Sequence, residues 1–155
     1  MSSFKSDLEQ SRIYELELLK HLEYSSYSQS PDNVAFSNYD IKIIKKDNTI
    51  ETYEVKCDRI AQRSRNIAIE FQQFRNNEMK KTGIQTSKAN YYAIFCIGEF
   101  NSYDLYIISR KKLIKMINNQ EYFDTKKTFD NSYFVLFKKQ QIKDNSILFK
   151  SVDIW

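Results

Sequence analysis

The stretch YDIKIIKKDNTIETYEVKCD, from Tyr39 to Asp58, decides how the fold is read. Both of its halves are rich in β-branched and aromatic residues, and Lys45, Lys46, Asp47 and Asn48 supply turn chemistry between them. Val34 to Lys45 and Thr49 to Asp58 are therefore expected to form a β-hairpin. Alternation along the second strand puts Glu54, Lys56 and Asp58 on one face and Tyr53, Val55 and Cys57 on the other. Asp40 belongs to the neighbouring strand, so its carboxylate and that of Glu54 can meet at the end of the hairpin. Two such carboxylates repel unless a hard cation lies between them, the oxygen-rich setting that Mg²⁺ or Mn²⁺ prefers. Lys56 would hold its ammonium over the same spot, where it can orient an attacking water and offset the extra charge of a pentavalent phosphorus. Taken alone, Glu54-Val55-Lys56 is a weak signal, because alternating Glu and Lys on a strand usually mark a solvated face.

Working outward, Ser6 to Glu9 has the form of a capping box, and a helix is expected from about Ser6 to about Tyr24. Leu8, Ser11, Glu15, Leu18, Leu19 and Leu22 form its inward stripe. Glu15 lies inside that stripe, so it either faces the core and needs a partner or cation, or sits at the solvent edge of a rotated helix. Tyr24 to Asn33, with the only proline, reads as a loop. Asn66 to Phe74 reads as a third strand and Asn76 to Thr86 as a loop containing Gly83. Ser87 to Asn90 is expected to begin a short helix, and Tyr91 to Ile97 and Leu105 to Ile108 to be strands. A helix from about Ser109 to Asn118 should face Leu113, Ile114 and Ile117 inward, and Tyr133 to Ile154 holds two more β-like stretches. The expected architecture is an α+β (mixed α/β) domain spanning residues 1–155, with a mixed central β-sheet flanked by helices.

Composition narrows the chemistry. At 155 residues and 41% hydrophobic, the chain can bury a core without disulfides. Cys57 and Cys96 are in no pair of zinc spacing, and His21 is the only histidine, so catalysis through His pairs or a Ser-His-Asp set is disfavoured. Carboxylates, lysines and tyrosines remain. A net charge of +4 and a pI near 8.9 are compatible with a polyanionic partner without requiring one. No apolar run reaches membrane-spanning length and the first residues lack the core of a secretory signal, so a soluble intracellular protein without membrane contact is expected.

Around Glu54-Val55-Lys56 stand Asp40, Glu15 on the preceding helix, Asn66 to Glu70, and Thr86 to Tyr92 downstream. Together these resemble the PD-(D/E)xK nuclease superfamily, and in particular its small phage and viral endonucleases and resolvase-like members, over roughly Ser11 to Tyr92. In that group the site combines a glutamate on the first helix, an aspartate opening the second strand, and an E-x-K on the next. The resemblance implies a restriction-endonuclease-like core and a metal-dependent endonuclease that hydrolyses DNA phosphodiester bonds. It also implies that Asp40, Glu54 and the Val55 carbonyl are ligands of Mg²⁺, with Mn²⁺ able to substitute. Lys56 would be the catalytic lysine and Glu15 an outer or second-metal ligand. Tyr39 stands where the superfamily's name has proline, and Arg65 where related nucleases often have glycine. Arg59, Arg63, Arg65 and Lys88 are candidate contacts to the DNA backbone, and Glu70 a candidate support for the site. A homodimer is compatible with the sequence. The competing reading is a non-catalytic nucleic-acid-binding or assembly module on the same fold.

Overall fold

The computed structural model describes residues 4–30 and 38–153, with side chains from Gln10 onward. Along the chain lie α1 (Phe4–Leu19), β1 (Ser26–Gln29), β2 (Ile41–Ile44), β3 (Ile50–Asp58), α2 (Ala61–Ser64), β4 (Asn66–Arg75) and β5 (Glu78–Lys81). They are followed by β6 (Tyr91–Ile97), β7 (Tyr103–Ser109), α3 (Arg110–Asn118), β8 (Asp124–Lys127), β9 (Ser132–Lys138), α4 (Lys139–Asn145) and β10 (Leu148–Val152). A mixed six-stranded sheet has the order β1-β2-β3-β6-β7-β10, and a four-stranded sheet has the order β5-β4-β9-β8. In the larger sheet β3 and β6 run parallel, because the chain returns to the same end through α2, β4 and β5; the other pairs are antiparallel. This is an α+β fold, as the pattern of elements implies.

Period-two alternation gives the larger sheet two apolar faces. Ile41, Ile43, Tyr53, Val55, Phe95 and Leu105 meet Tyr14 and Leu18 of α1 on one side. On the other, Tyr92, Ile94, Tyr106 and Ile108 pack on Ile67 and Ile69 of β4, Val135 and Phe137 of β9, and Leu113 and Met116 of α3. The larger sheet is thus the middle layer, and each fully buried Leu, Ile or Phe side chain contributes roughly 1.5–3 kcal/mol. Among the described residues no helix is long and apolar enough to cross a membrane.

Several expected boundaries shift. The first helix ends at Leu19 because the amides of Lys20, His21 and Leu22 bond three residues back, tightening the last turn. The supposed loop after it contains β1, which pairs with β2. The strand expected from Val34 begins at Ile41; residues 34–37 lie outside the described residues. The supposed loop Asn76 to Thr86 holds β5, because Asn76 and Asn77 both adopt positive φ and close a two-residue hairpin from Arg75 to Glu78. Ser87 to Asn90 is not a helix. Its amides are drawn outward, Lys88 to the Asn38 carbonyl at 3.1 Å and Asn90 to the Thr52 carbonyl at 3.0 Å. On α3 the two fully buried residues are Leu113 and Met116, with Ile114 and Ile117 partly covered.

Candidate active site

The pairing of β2 with β3 stops at Ile41 opposite Tyr53, whereas β3 continues to Asp58 and stays paired with β6 on its other side. Beyond Tyr53 the edge of β3 that faces β2 is therefore left by its partner strand. Asp40 stands at that point. Its amide donates to the Tyr53 carbonyl at 2.9 Å, and its Oδ2 accepts the Val55 amide at 2.7 Å. The carboxylate thus takes the place of the missing strand. Since the N–H and C=O of one residue leave a strand on the same side, the Val55 carbonyl is directed into the space beside Asp40.

Alternation sends Glu54 and Lys56 to the face that looks towards the smaller sheet, level with Tyr92 and Ile94. Glu54 Oε1 lies 3.4 Å from Lys56 Nζ, and Oε2 accepts the Ser87 hydroxyl at 3.3 Å. Burial pushes the Glu54 pKa up; Lys56 opposes the rise and Asp40 adds to it. Lys56 itself keeps about half of its side chain exposed. Across the sheet, Glu15 is only 3% exposed, so the inward orientation of the helix stripe is the one realised. Its Oε1 accepts Arg12 Nη1 at 2.8 Å and Gln29 Nε2 at 3.2 Å, while Arg12 also donates to the Ser30 carbonyl. Burial first, and then the charge of Asp40, push Glu15 up to about 7 against the pull of Arg12.

Asp40 therefore disfavours ionisation of a carboxylate on each side of the sheet, a repulsion that a bound cation would relieve. Among the described residues, no three His, Cys, Asp or Glu side chains gather closely enough to hold a metal by themselves. Oxygen donors of the kind a hard divalent cation takes stand in Asp40 and the Val55 carbonyl at the open edge of β3 and in Glu54 on the adjoining sheet face, with Glu15 across the sheet.

Glu54 and Lys56 line a cavity of about 260 Å³ together with Glu70, Gly83 and Ser87, so the structure brings Glu70 to the site. Lys56, Glu70 and Gly83 also border a larger cleft of about 540 Å³. Gly83 is required there, because its φ is +56° and a Cβ would stand 2.2 Å from the Glu70 carbonyl oxygen.

The four candidate DNA-contacting cations are not brought together. Lys88 is exposed, and its backbone is tied to Asn38, two residues before Asp40. Arg59 borders the larger cleft and donates to Gln10 at 2.8 Å. Arg63 is exposed on α2, while Arg65, in a left-handed conformation at the end of α2, lines a different cavity with Lys138, Lys139 and Lys143. The intervening helix separates them, because Asp58 Oδ1 accepts the Ile60 and Ala61 amides and starts α2 there. Asp58 shares the strand face of Glu54 and Lys56 but serves that turn. Sequence reasoning gave no role to Arg12 or Gln29, and carried Ser87 and Tyr92 only within the stretch Thr86 to Tyr92. Arg12 was signalled by its position three residues before Glu15, whereas Gln29 and Ser87 reach the site through strand pairing that local spacing does not show.

Compared with protein-family models, curated proteins and solved structures, the chain matches none, so the functional reading rests on its own residues and their geometry.

Proposed function

We propose that the protein is a divalent-metal-dependent endonuclease that hydrolyses DNA phosphodiester bonds at the open edge of β3. What supports this reading is that Asp40, whose Oδ2 accepts the Val55 amide where β2 ends, stands near enough to Glu54 for its charge to oppose that carboxylate's ionisation, with Lys56 beside Glu54. The order of elements supports it as well. A helix bearing Glu15 comes first, Asp40 opens the second strand of the sheet, and Glu54-Val55-Lys56 lies on the third, the arrangement implied by the resemblance to PD-(D/E)xK nucleases.

Asp40, Glu54 and the Val55 carbonyl would hold Mg²⁺ or Mn²⁺, which when bound supplies a water of lowered pKa and charge for a phosphate oxygen. Lys56, half-exposed at the cavity wall, orients the attacking water and places positive charge where the transition state gains negative charge. Ser87 fixes the rotamer of Glu54 from the other side. Glu15, clamped by Arg12 and Gln29, holds a second carboxylate in reserve across the sheet edge.

The test is incubation of the purified protein with labelled linear, nicked, forked and four-way DNA. Cutting is expected with Mg²⁺ or Mn²⁺, little with Ca²⁺, whose looser coordination positions water poorly, and none with EDTA. Binding of DNA without cutting under every metal condition would replace this reading with that of a binding or assembly module.

A further inference from the structure

Lys56, Ile94, Tyr106 and Phe149 stand in one row across the larger sheet, on β3, β6, β7 and β10, because each is the register partner of the next. Directly paired residues share a sheet face, so the row begins beside Glu54 and ends at the far edge strand. At that end Tyr106 and Phe149 line a cavity of about 560 Å³ together with Arg65, Lys138, Lys139 and Lys143, and among the described residues no carboxylate lines it.

One of the four cations is matched, since Lys139 Nζ lies 2.9 Å from Asp104 Oδ2. The other three form no ion pair among the described residues. Asp144, next to Lys143 in the chain, accepts the Gln140 amide at 2.8 Å and stands outside the cavity lining. Lys143 Nζ lies 4.4 Å over the Phe149 ring, and Lys138 Nζ lies 4.3 Å over that of Phe123 while donating to Asn66 at 3.3 Å. A ring face holds an ammonium in place without cancelling its charge, as a carboxylate would. Arg65 caps α2 in a left-handed conformation, its amide donating to the Ala61 carbonyl at 2.7 Å and its carbonyl accepting the Lys139 amide at 3.1 Å. Its backbone is thereby fixed between α2 and α4.

Cations held around a cavity without matching carboxylates favour an anion, and a guanidinium fork with an ammonium on the same wall suits phosphate. Three interstrand steps of about 4.8 Å put Phe149 roughly 14 Å from Lys56, less than half of one duplex turn of about 34 Å. A nucleic acid cut beside Lys56 therefore carries further phosphates within reach of this cavity. Resting on the nuclease reading for the identity of the polymer, we propose that Arg65 and Lys143 grip the DNA backbone at a phosphate several nucleotides from the one to be cut, with Lys138 adding charge beside them. They bind and position the substrate and touch none of the reacting atoms.

The test is binding of a labelled DNA duplex by the full chain over a range of salt, with Ca²⁺ in place of Mg²⁺ so that the probe survives, beside cleavage kinetics with Mg²⁺. Arg65→Gln combined with Lys143→Gln should weaken binding at least about tenfold and flatten the log-log salt slope by about two units, one for each cation removed. KM should rise by a similar factor while kcat at saturating DNA holds, and Tm should be unchanged because both side chains are exposed. Lys20→Gln combined with Lys150→Gln removes the same charge beside His21, on the opposite side of the larger sheet, and should leave affinity within about twofold of the parent. A double variant at Arg65 and Lys143 that binds like the parent would overturn the proposal. An equal loss in the control pair would overturn it as well, since that marks diffuse attraction to a basic protein. So would a parent that binds vesicles of anionic lipid through these residues and does not bind DNA. A parent that binds DNA through Arg65 and Lys143 yet cuts under no metal condition upholds the cavity and overturns the nuclease reading.

Discussion

Glu15 is a carboxylate whose ionisation the fold resists. Its pKa of about 7 in the folded protein stands against an ordinary value of 4.5, so the native state holds the proton more tightly than the unfolded chain does. Stability from this group is full below pH 4.5 and is lost as pH rises through 7. The gap between the two values amounts to about 3 kcal/mol. In metal-free protein with EDTA present, thermal melts should show Tm falling across that window, and Glu15→Gln, neutral throughout, should flatten the fall. Parallel Tm curves for parent and variant would place the pH dependence elsewhere. If the proposed site takes a metal, divalent cation added at pH 7 should raise the Tm of the parent, because it would offset the mutual repulsion that Asp40 imposes on Glu15 and Glu54.

At the scale of elements, the turn around Gly83 and the strand β4 close the small cavity over Glu54. Gly83→Ala would drive a Cβ into the Glu70 carbonyl at a positive φ, and about 2 kcal/mol or more of stability should be lost in chemical denaturation. An unchanged denaturation midpoint would show that the turn is looser than its geometry implies. Asp58→Ala should cost about 1 kcal/mol, since it removes the acceptor for two amides at the start of α2. The same elements explain what the sequence could and could not reveal. The hairpin of β2 and β3 was legible because Ile41, Ile43, Tyr53 and Val55 alternate with polar residues and the intervening turn has Asn48 at positive φ. Asp40, Glu54 and Lys56 followed from that alternation. The polar edge strands were not legible, since Glu78–Lys81 and Asp124–Lys127 bury little and carry no alternation to detect. Asn76 and Asn77 did signal the first of them, a pair suited to left-handed turn positions that was read as loop. Tyr92 reads as one more residue of an apolar strand, and only the packing of two sheets buries its hydroxyl near Ser87 and Glu54.

For the whole molecule, the proposed nuclease centre draws on two layers, since Asp40 and Glu54 of the larger sheet lie where β2 ends and Glu70 and Gly83 close the cavity over Glu54. DNA binding should weaken with salt along a log-log line, and Lys88→Ala should flatten the slope by about one unit, because Lys88 stands beside the chain segment that delivers Asp40. A salt-insensitive complex would contradict that. Asp40→Asn should cut poorly at ordinary Mg²⁺ and recover partly at high Mg²⁺, since a neutral amide holds the cation weakly while the rest of the site remains. The most direct measurement is single-turnover cleavage by Lys56→Ala beside DNA binding by the same variant. Lys56 keeps about half of its side chain exposed, so the variant should fold and bind DNA like the parent, which its Tm and DNA affinity check. Its cleavage rate should fall by on the order of a hundredfold to a thousandfold, the loss typical of one preorganised charge at a transition state. A folded Lys56→Ala protein that cuts DNA at the parental rate would contradict the account.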